Sequence, residues 1–452
     1  MAGWVANSAR GLVAEVEGRE EALRSFVEAI EAEAPPLARI DSVEVEGIEP
    51  RGAEGLAIRE SRSEGGETTL ICPDVAVCED CLREFNDPDD RRYHYPFINC
   101  TNCGPRFSII EGTPYDRPRT SMRCFPMCPD CRREYDDPRD RRFHAQPNAC
   151  PVCGPGLTLE LPSDSGSGLL ELASGRRYVA PPDGFAEAAA HDPARACREL
   201  LRRGAIVGVR GLGGFHLAAD ARDDEAVRAL REKKDRPAKP FALMCRDIEV
   251  ARGLAEIGPA EAELLESPWS PIVLVGKRPD PGIAISPLVA PGNASLGLML
   301  PYAPLHHLLF DDELPALVMT SANASGEPII ADIAAARESL APVTATFLDH
   351  DRDIVNRNDD SVTFVEAGQT MIARRSRGYA PYPIDLGLAT GSVLACGTEL
   401  KNTFTFLDGG RAYVSQHIGD MENLATLGFY EEMVAKFERW FRLSPETVAC
   451  DL

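Results

Sequence analysis

A duplicated cysteine pattern constrains this chain more than any other feature. Two Cys-x-x-Cys turns with eighteen residues between them recur fifty positions further along, so each of the eight cysteines has a counterpart at the same offset. Each turn places two thiolates on one side of a tight bend, and two turns complete a tetrahedral sulfur site of the kind zinc prefers. The pattern predicts two Zn²⁺ sites, formed by Cys78, Cys81, Cys100 and Cys103 and by Cys128, Cys131, Cys150 and Cys153.

The repeat extends beyond the cysteines. Residues 82–100 align with 132–150, which matches Phe85 with Tyr135, Pro88 with Pro138, and the arginine pair 91–92 with the pair 141–142. Two tandem zinc ribbons made by duplication are therefore predicted, with structural zinc. His94 and His144 also match, but each site already has four thiolates, so a supporting role is expected for them. An interleaved pairing, with the turn at Cys78 joined to the turn at Cys150, stays open.

Disulfide bonds are the alternative use of these cysteines. The opening residues MAGWVANSARG lack the apolar run of a secretory signal. A reducing compartment and a cytoplasmic protein are therefore expected. The cysteines outside the paired turns are interpreted as buried or incidental thiols, namely Cys72, Cys124, Cys197, Cys245, Cys396 and Cys450.

Composition argues against two classes of partner. No run of eighteen apolar residues is present to span a bilayer, so no membrane association is expected. The net charge of -23 repels nucleic acid, and residues 72–155 contain fourteen Asp and Glu against twelve Lys and Arg. We therefore expect no nucleic-acid partner, and a structural or docking role for the ribbons.

The length of 452 residues predicts three or four domains, and hydrophobic periodicity divides the chain into four segments. The predicted segments are 1–60, 70–156, 186–388 and 391–452, and the predicted fold class is multidomain α/β. In the first, alternation predicts strands at 11–18 and 40–48 around a helix at 19–32, which is half of a small α/β domain. Residues 161–175 are predicted to be a linker or an inserted surface hairpin.

The third and fourth segments are predicted to be α/β domains. Strands are predicted in the third segment at 205–211, 241–245, 271–276, 316–320 and 361–365, with a helix at 223–234. The fourth segment has predicted strands at 393–397, 404–408 and 411–416. A helix follows, with one apolar stripe formed by Leu427, Tyr430, Val434, Phe437 and Phe441.

Groups suited to phosphate concentrate in the third segment. Lys234, Arg236 and Lys239 lie on a proline-braced loop, where fixed cations can hold phosphate oxygens. Residues 319–329 supply hydroxyl and amide groups, and two later segments add Arg357, Asp359, Asp360, Arg374, Arg375 and Arg377. Each group alone is typical of a solvated face or a turn, so the prediction depends on their order and combination.

Taken in order, the tandem ribbons and the motifs GLGGFHL, KKDRPAKPFALM, TSANASGEPI, NRNDDSV, RRSRGYAP, CGTELKNTF and SQHIGDMEN resemble the HypF family of hydrogenase maturation carbamoyltransferases. The resemblance covers essentially the whole chain. It implies a YrdC-like third domain that binds ATP and Mg²⁺ and forms carbamoyl-adenylate. By motif, it places nucleotide contacts at Lys234, Arg236, Ser321, Asn323 and Arg374, beside the cation Lys239.

The resemblance also assigns the two ends. Residues 1–60 resemble the later half of a ferredoxin-like acylphosphatase domain and place its catalytic amide on Asn7, without the loop that cradles the acyl phosphate. Residues 391–452 resemble the start of an ASKHA-type carbamoyltransferase domain, with Lys401 and Asn402 on a hairpin. The chain is therefore expected to be a fragment that binds ATP but neither hydrolyses carbamoyl phosphate nor completes the transfer.

The implied full reaction has three steps. Carbamoyl phosphate yields carbamate, carbamate is adenylated with ATP, and the carbamoyl group passes to the C-terminal cysteine of the partner HypE for a cyanide ligand of a [NiFe] hydrogenase. Two alternatives come from other classes. A YrdC-type enzyme makes threonyl-carbamoyl-adenylate for tRNA but needs no ribbons, and a zinc-dependent binding module leaves the ordered motifs of the third segment unexplained.

Overall fold

The computed structural model describes residues 1–8, 11–34, 37–38, 40, 42–59, 70–162, 169–171, 177–179, 185–323, 326–388 and 390–451. The chain divides into two compact units, Met1–Leu70 with Arg439–Arg442, and Ile71–Glu438 with Leu443–Leu452. Within the described residues, none of the helices combines the length and apolar character needed to cross a membrane.

The first unit is a small sheet with one helix. Its elements are β1 (Ala2–Ser8), β2 (Gly11–Glu17), α1 (Glu20–Ala32) and β3 (Leu56–Ile58). Strand β1 is central, antiparallel to β2 and parallel to β3. The strand and helix predicted at 11–32 are confirmed.

The strand predicted at 40–48 is wrong. Residues 42–48 have no regular structure, and Val45 is 69% exposed. Alternation of valine with glutamate favours a strand only when one face is buried, and this segment buries neither. The third strand of the sheet forms instead at Leu56–Ile58.

The second unit begins with two fingers built alike. Helix α2 (Glu79–Asn86) starts directly after Cys78, and helix α3 (Pro129–Asp136) starts directly after Cys128. The first Cys-x-x-Cys turn of each finger is thus a helix start, with its second cysteine in the first helical turn. Short 3₁₀ turns at Phe107–Ile109, Arg117–Arg119 and Ser121–Cys124 connect the two fingers.

A ten-stranded mixed sheet forms the centre of the second unit. The elements from the end of the second finger to the middle of this sheet are β4 (Leu157–Glu160), the hairpin β5 (Leu169–Glu171) and β6 (Arg177–Val179), α4 (Phe185–His191), α5 (Pro193–Arg202), β7 (Val207–Arg210), β8 (Phe215–Asp220), α6 (Asp224–Lys233) and β9 (Ala242–Cys245). The elements that follow are α7 (Ile248–Leu254), α8 (Pro259–Glu266), β10 (Ile272–Gly276), β11 (Ser295–Met299), α9 (Pro304–His307), β12 (Ala316–Ser321), α10 (Ile333–Ser339), β13 (Phe347–His350), β14 (Val362–Glu366) and β15 (Gln369–Arg374). The segment predicted as a linker or hairpin, 161–175, lies largely outside the described residues, and its described part contributes β5.

The strand order is β15-β14-β10-β11-β9-β12-β8-β7-β13-β4. Both faces of the central strands are covered, because Val318 and Leu317, neighbours on β12, belong to two different hydrophobic clusters. Successive residues of a strand point to opposite faces, so a strand buried on both sides reads as a continuous apolar run. The five strands predicted in this segment are confirmed, whereas β8, β11, β13 and β15 were not predicted.

A five-stranded sheet and a long helix complete the second unit. The elements are β16 (Ile384–Asp385), β17 (Val393–Ala395), β18 (Thr405–Asp408), β19 (Arg411–Val414), α11 (Leu424–Phe441) and β20 (Thr447–Ala449). The strand order is β16-β19-β18-β17-β20. The three strands and the helix predicted here are confirmed.

Candidate functional site: two thiolate clusters and a cationic cluster

The first predicted set of cysteines converges to one point. The sulfurs of Cys78, Cys81, Cys100 and Cys103 lie within 4.8 Å of one another. The separations are 3.7 Å from Cys78 to Cys100, 3.8 Å from Cys100 to Cys103 and 3.5 Å from Cys103 to Cys81. Four thiolates around one zinc, with bonds of about 2.3 Å, stand about 3.8 Å apart. The donor set therefore fits zinc, and the pairing is sequential rather than interleaved.

The second set repeats this geometry. The sulfur of Cys150 lies 3.7 Å from that of Cys128 and 3.7 Å from that of Cys153, which lies 3.6 Å from that of Cys131. The matching histidines do not join either sulfur cluster. The ring of His94 stacks on Tyr93 at 3.9 Å, and the ring of His144 stacks on Tyr135 at 5.0 Å. Two of the remaining thiols are buried in the core, where burial raises the pKa of Cys197 and of Cys245 to about 12.

Arginines connect each finger to the thiolates of the other. Arg141 Nη1 of the second finger lies 3.1 Å from Cys81 Sγ of the first, and Arg91 Nη2 of the first lies 3.4 Å from Cys131 Sγ of the second. A four-thiolate zinc site carries net negative charge, and hydrogen bonds to its sulfurs stabilise the ligands and tune the metal. This role was not predicted, although the arginine pairs repeat in the sequence at the same offset as the cysteines.

Two buried ion pairs reinforce the connection. Arg92 Nη2 lies 2.6 Å from Glu134, and Arg92 Nε donates to the Ala149 carbonyl at 2.8 Å. Fifty residues along, Arg142 pairs with Glu84 and donates Nε to the Asn99 carbonyl at 3.1 Å. Burial alone disfavours the Glu134 carboxylate, but hydrogen bonds from Arg92 and Arg91 outweigh burial and lower its pKa to about 2. The two fingers form one reciprocal assembly.

The predicted lysine, serine and asparagine of the third segment meet at the end of β12. Lys234 ends helix α6, and its Nζ donates to the carbonyls of Ser321 and Asn323 at 2.8 Å each and to Asn323 Oδ1 at 3.0 Å. Ser321 Oγ donates to the same Oδ1 at 3.0 Å. The loop after α6 and the loop after β12 are therefore joined through one ammonium group.

Three further predicted cations lie in the same electrostatic neighbourhood. Arg236 Nη1 donates to Thr320 Oγ1 at 3.2 Å, and Arg374 Nη1 donates to Asp359 Oδ2 at 3.0 Å. Burial lowers the pKa of Lys234 to about 8, with Arg236 and Lys239 adding to the effect, and burial with Arg231 and Arg374 lowers that of Arg236 to about 10. We call this set the cationic cluster: Lys234, Arg236, Lys239 and Arg374, with Asp359 as the carboxylate among them.

The cations of this cluster repel one another and are partly buried, and both effects favour the binding of an anion. Burial, then repulsion from Arg236 and Arg374, lowers the pKa of Lys239 as well. Cations whose charged forms are disfavoured by burial and by each other are stabilised when a polyanion enters between them. Asp360 does not take part, because its two oxygens bind His216 Nε2 at 2.9 Å and Arg377 Nε at 2.8 Å.

The motif SQHIGD of the last segment also reaches this cluster. His417 has Asp359, Arg374 and Asp420 as charged neighbours, and burial lowers its pKa to about 4. Arg375 Nη1 donates to the Val414 carbonyl at 2.8 Å. This motif lies in the predicted segment 391–452, and its contact with the cationic cluster of the third segment was not predicted. The remaining predicted residue, Asn7, lies on β1, and its side chain lies outside the described residues.

The fold and these clusters define a multidomain α/β protein in which paired four-cysteine fingers precede a mixed sheet with a cationic cluster. Family comparisons agree segment by segment. Residues 77–110 and 127–160 match the HypF finger, 389–452 the HypF Kae1-like domain, 1–58 the acylphosphatase family, and 199–376 the Sua5, YciO and YrdC family described as telomere recombination.

Whole-chain relatives give the particular family. The chain is 46% identical over its full length to carbamoyltransferase HypF of Rhizobium leguminosarum bv. viciae, and 39% identical to the probable carbamoyltransferase HypF of Methanocaldococcus jannaschii, covering 55% and 56% of those proteins. A crystal structure of full-length HypF in a phosphate- and nucleotide-bound form matches the whole chain at 44% identity and a TM-score of 0.87, over 56% of its length. This chain belongs to the HypF family, and it spans about half the length of the relatives it matches.

Proposed function

We propose that this chain carries the ATP-dependent activation step of a HypF-type carbamoyltransferase. Carbamate attacks the α-phosphorus of ATP through a carboxylate oxygen, the bond from that phosphorus to the bridging oxygen breaks, and pyrophosphate leaves. The product is carbamoyl-adenylate. Catalysis of this step requires positioning and charge stabilisation more than covalent participation by the protein.

The observation that carries the proposal is the cationic cluster at the end of β12. Asp359 bonds Arg374 and is a charged neighbour of the other three cations, Asp420 is a further charged neighbour of Lys239, and the four cations suit the triphosphate of ATP. Ser321 and Asn323, fixed by Lys234, offer hydroxyl and amide groups for phosphate or ribose oxygens. Mg²⁺ enters the proposal as the counter-ion of the phosphates, with Asp359 as the nearest carboxylate in the cluster.

Family membership supports the rest of the proposed pathway. Carbamoyl phosphate is the proposed source of carbamate, through the acylphosphatase-like segment that contains Asn7. The proposed acceptor is the C-terminal cysteine of HypE in the cytoplasm, where the carbamoyl group becomes a cyanide ligand during [NiFe] hydrogenase maturation. The fingers have a structural role, with Zn²⁺ in each four-cysteine set.

Pyrophosphate exchange tests the activation step directly. Labelled pyrophosphate should enter ATP when the protein is supplied with bicarbonate and ammonia, which form carbamate in solution. Bicarbonate with threonine should give no exchange above background. Exchange only with the mixture of bicarbonate and threonine would instead support the threonyl-carbamoyl-adenylate reaction. A relative named threonylcarbamoyl-AMP synthase, from Bacillus subtilis, is 28% identical to this chain over 169 residues. No exchange with either mixture, despite ATP binding, would contradict the proposal.

A further inference from the structure

A cavity lies between the first finger and the central sheet, apart from the cationic cluster. We call it the finger-sheet cavity. Its walls come from the loop between the two cysteine turns of the first finger, the end of β7, the start of α9 and the end of β13, and include Phe97, Gly104, Arg210, Tyr302, His350 and Arg352. Its volume for the centres of water-sized groups is about 20 Å³, so it holds only a very small molecule, and it opens to solvent on one side.

Arg352 is a buried cation without an acidic partner. The residue is 4% exposed, and its guanidinium lies 5.1 Å above the ring of Phe97. Within the described ranges of the chain, its side chain makes no hydrogen bond and no ion pair. Burial lowers its pKa to about 10, which leaves it charged at neutral pH. An unpaired buried charge is costly, and an anion in the cavity would offset that cost.

Two neighbouring groups have spare hydrogen-bonding capacity. Arg210 Nη1 donates to Asp349 Oδ1 at 3.2 Å and to the His350 carbonyl at 2.8 Å, but Arg210 Nε has no partner. His350 Nε2 lies 3.3 Å from the Gly211 carbonyl, which places the proton of a neutral ring on Nε2. His350 Nδ1 makes no direct hydrogen bond, although the Arg352 backbone is close enough to the ring to act on its pKa. Burial, with the charges of Arg352 and Arg210, lowers that pKa, so the ring is neutral, and with its proton on Nε2 the Nδ1 atom is an acceptor. The walls therefore offer cationic donors and one neutral acceptor.

Neither nearby carboxylate makes an ion pair with Arg352. Asp349 is paired with Arg210. Asp74 accepts hydrogen bonds from the backbone of Arg106 at 2.8 Å and from Ser108 Oγ at 2.8 Å, and its charge acts on Arg352 only at a distance, raising the pKa of Arg352 against the effect of burial. The guanidinium of Arg352 therefore has no counter-ion in direct contact.

We propose that the finger-sheet cavity is an anion site for a small oxyanion that also carries a hydrogen-bond donor, the chemistry shared by carbamate and bicarbonate. Arg352 and Arg210 Nε hold the oxygens, and His350 Nδ1 accepts from the N–H or O–H. Naming carbamate as the natural occupant rests on the proposed function. The existence of the site does not, because it follows from the buried unpaired groups.

Bicarbonate is the probe for this site, because carbamate does not persist in water. Titration of ¹³C-bicarbonate into the zinc-loaded protein, followed by ¹³C line broadening, should show saturable binding. Arg352→Met should weaken it at least about tenfold, since a charge-assisted contact is lost. The exposed Arg228→Met is the matched control and should bind normally. Unchanged binding by Arg352→Met would overturn the proposal.

Two more variants separate this site from the cationic cluster. Arg236→Ala should keep bicarbonate binding, and a loss there would place bicarbonate in the cationic cluster and overturn the proposal. The affinity of Arg352→Met for ATP should equal that of the wild type. If the wild type itself does not bind ATP, the proposed function is contradicted, but the anion site is not.

The variant Ala303→Leu is the alternative test if Arg352→Met loses zinc or unfolds, because it fills the cavity without changing the charge. It should abolish bicarbonate binding, and unchanged binding would overturn the proposed anion site. Inorganic phosphate should compete weakly, and competition equal to that of bicarbonate would overturn the assigned ligand class.

Discussion

Arg141 Nη1 of the second finger donates to Cys81 Sγ of the first at 3.1 Å. A guanidinium next to a zinc-binding thiolate stabilises the ionised ligand that the metal requires. Arg91 makes the equivalent contact with Cys131 in the opposite direction. Zinc retention in each finger therefore depends on a residue of the other finger.

Arg141→Ala should weaken zinc binding in the first finger by about ten- to a hundredfold, the usual effect of losing a partner of a metal ligand. The readout is competition with a chromophoric chelator, which should show one weakened site out of two. Arg139→Ala is the control, because that side chain is 90% exposed on the same finger and pairs only with Asp137 among the described residues. Equal zinc affinity in both variants would contradict a role for the Arg141 contact.

Elemental analysis of the gently purified protein should give two zinc ions per chain. The hydrophobic cluster of the fingers is small beside those of the central sheet, and it is built around the cysteines of the first site. Structural zinc typically contributes about 10 to 16 kcal/mol of apparent binding energy, more than many domains have in total stability. Chelation should therefore expose residues 77–160 to limited proteolysis. A zinc content clearly below two, or resistance of the chelated fingers to protease, would count against four-thiolate structural sites.

Arg92→Ala should lower the free energy of unfolding by about 1.5 to 3 kcal/mol, because it removes a buried charge-assisted contact with Glu134 while Arg91 stays paired with that carboxylate at 2.7 Å. The Arg92 side chain is 2% exposed and that of Glu134 is 17% exposed. Arg83→Ala is the matched control. The Arg83 side chain is 74% exposed, so its ion pair with Asp80 should contribute less than about 1 kcal/mol to the free energy of unfolding. Denaturant melts of Arg83→Ala, Arg92→Ala, Glu134→Ala and the double variant of Arg92→Ala with Glu134→Ala measure the coupling, and additive losses in the double variant would contradict it.

Arg236→Ala should weaken ATP binding by about ten- to a hundredfold, because a charge-assisted phosphate contact is worth about 1.5 to 3 kcal/mol. Calorimetry at fixed ionic strength is the measurement. Arg228→Ala, on the exposed face of α6, carries the same charge change and should bind ATP normally. Equal affinity of the Arg236 variant and the wild type would move the nucleotide site elsewhere.

ATP affinity should fall by about tenfold between pH 7 and pH 9, because the pKa of Lys234 is lowered to about 8 and the free protein loses this proton over that interval. The effect on stability has the opposite sign. The unfolded chain keeps this proton up to about pH 10.4, so the cost of burying the charged lysine disappears as pH rises above 8. Lys234→Met should bind ATP more weakly at pH 7 and lack this pH dependence. A flat profile for the wild type would show that Lys234 does not contact the phosphates.

The sequence predicted best where local spacing determines geometry. The first cysteine turn of each finger is a helix start, so a spacing of two residues places both of its sulfurs on one side, and the offset of fifty identifies the two sets. The cationic cluster was predicted through its residue types. Its shape was not, because Lys234 and Asn323 meet only when α6 and β12 pack, 89 positions apart in the chain.

The failures come from long-range pairing. Strand β8 lies between two antiparallel neighbours and is buried throughout, so it shows no alternation to identify it. Residues 42–48 alternate but find no partner strand. The unpaired Arg352 was equally inaccessible to sequence reasoning, since a lone arginine in a charged loop is ordinarily a solvated one.

The reciprocal contacts between the fingers have the form of a two-fold symmetric homodimer contained in one polypeptide. Residue i of one copy meets residue j of the other, and j meets i, as at an isologous subunit interface. The two copies therefore cannot diverge independently at these positions. A change at Arg92 is felt at Glu134, and a change at its repeat counterpart Arg142 is felt at Glu84. Either half expressed alone would present an unpaired interface that favours association with a second half.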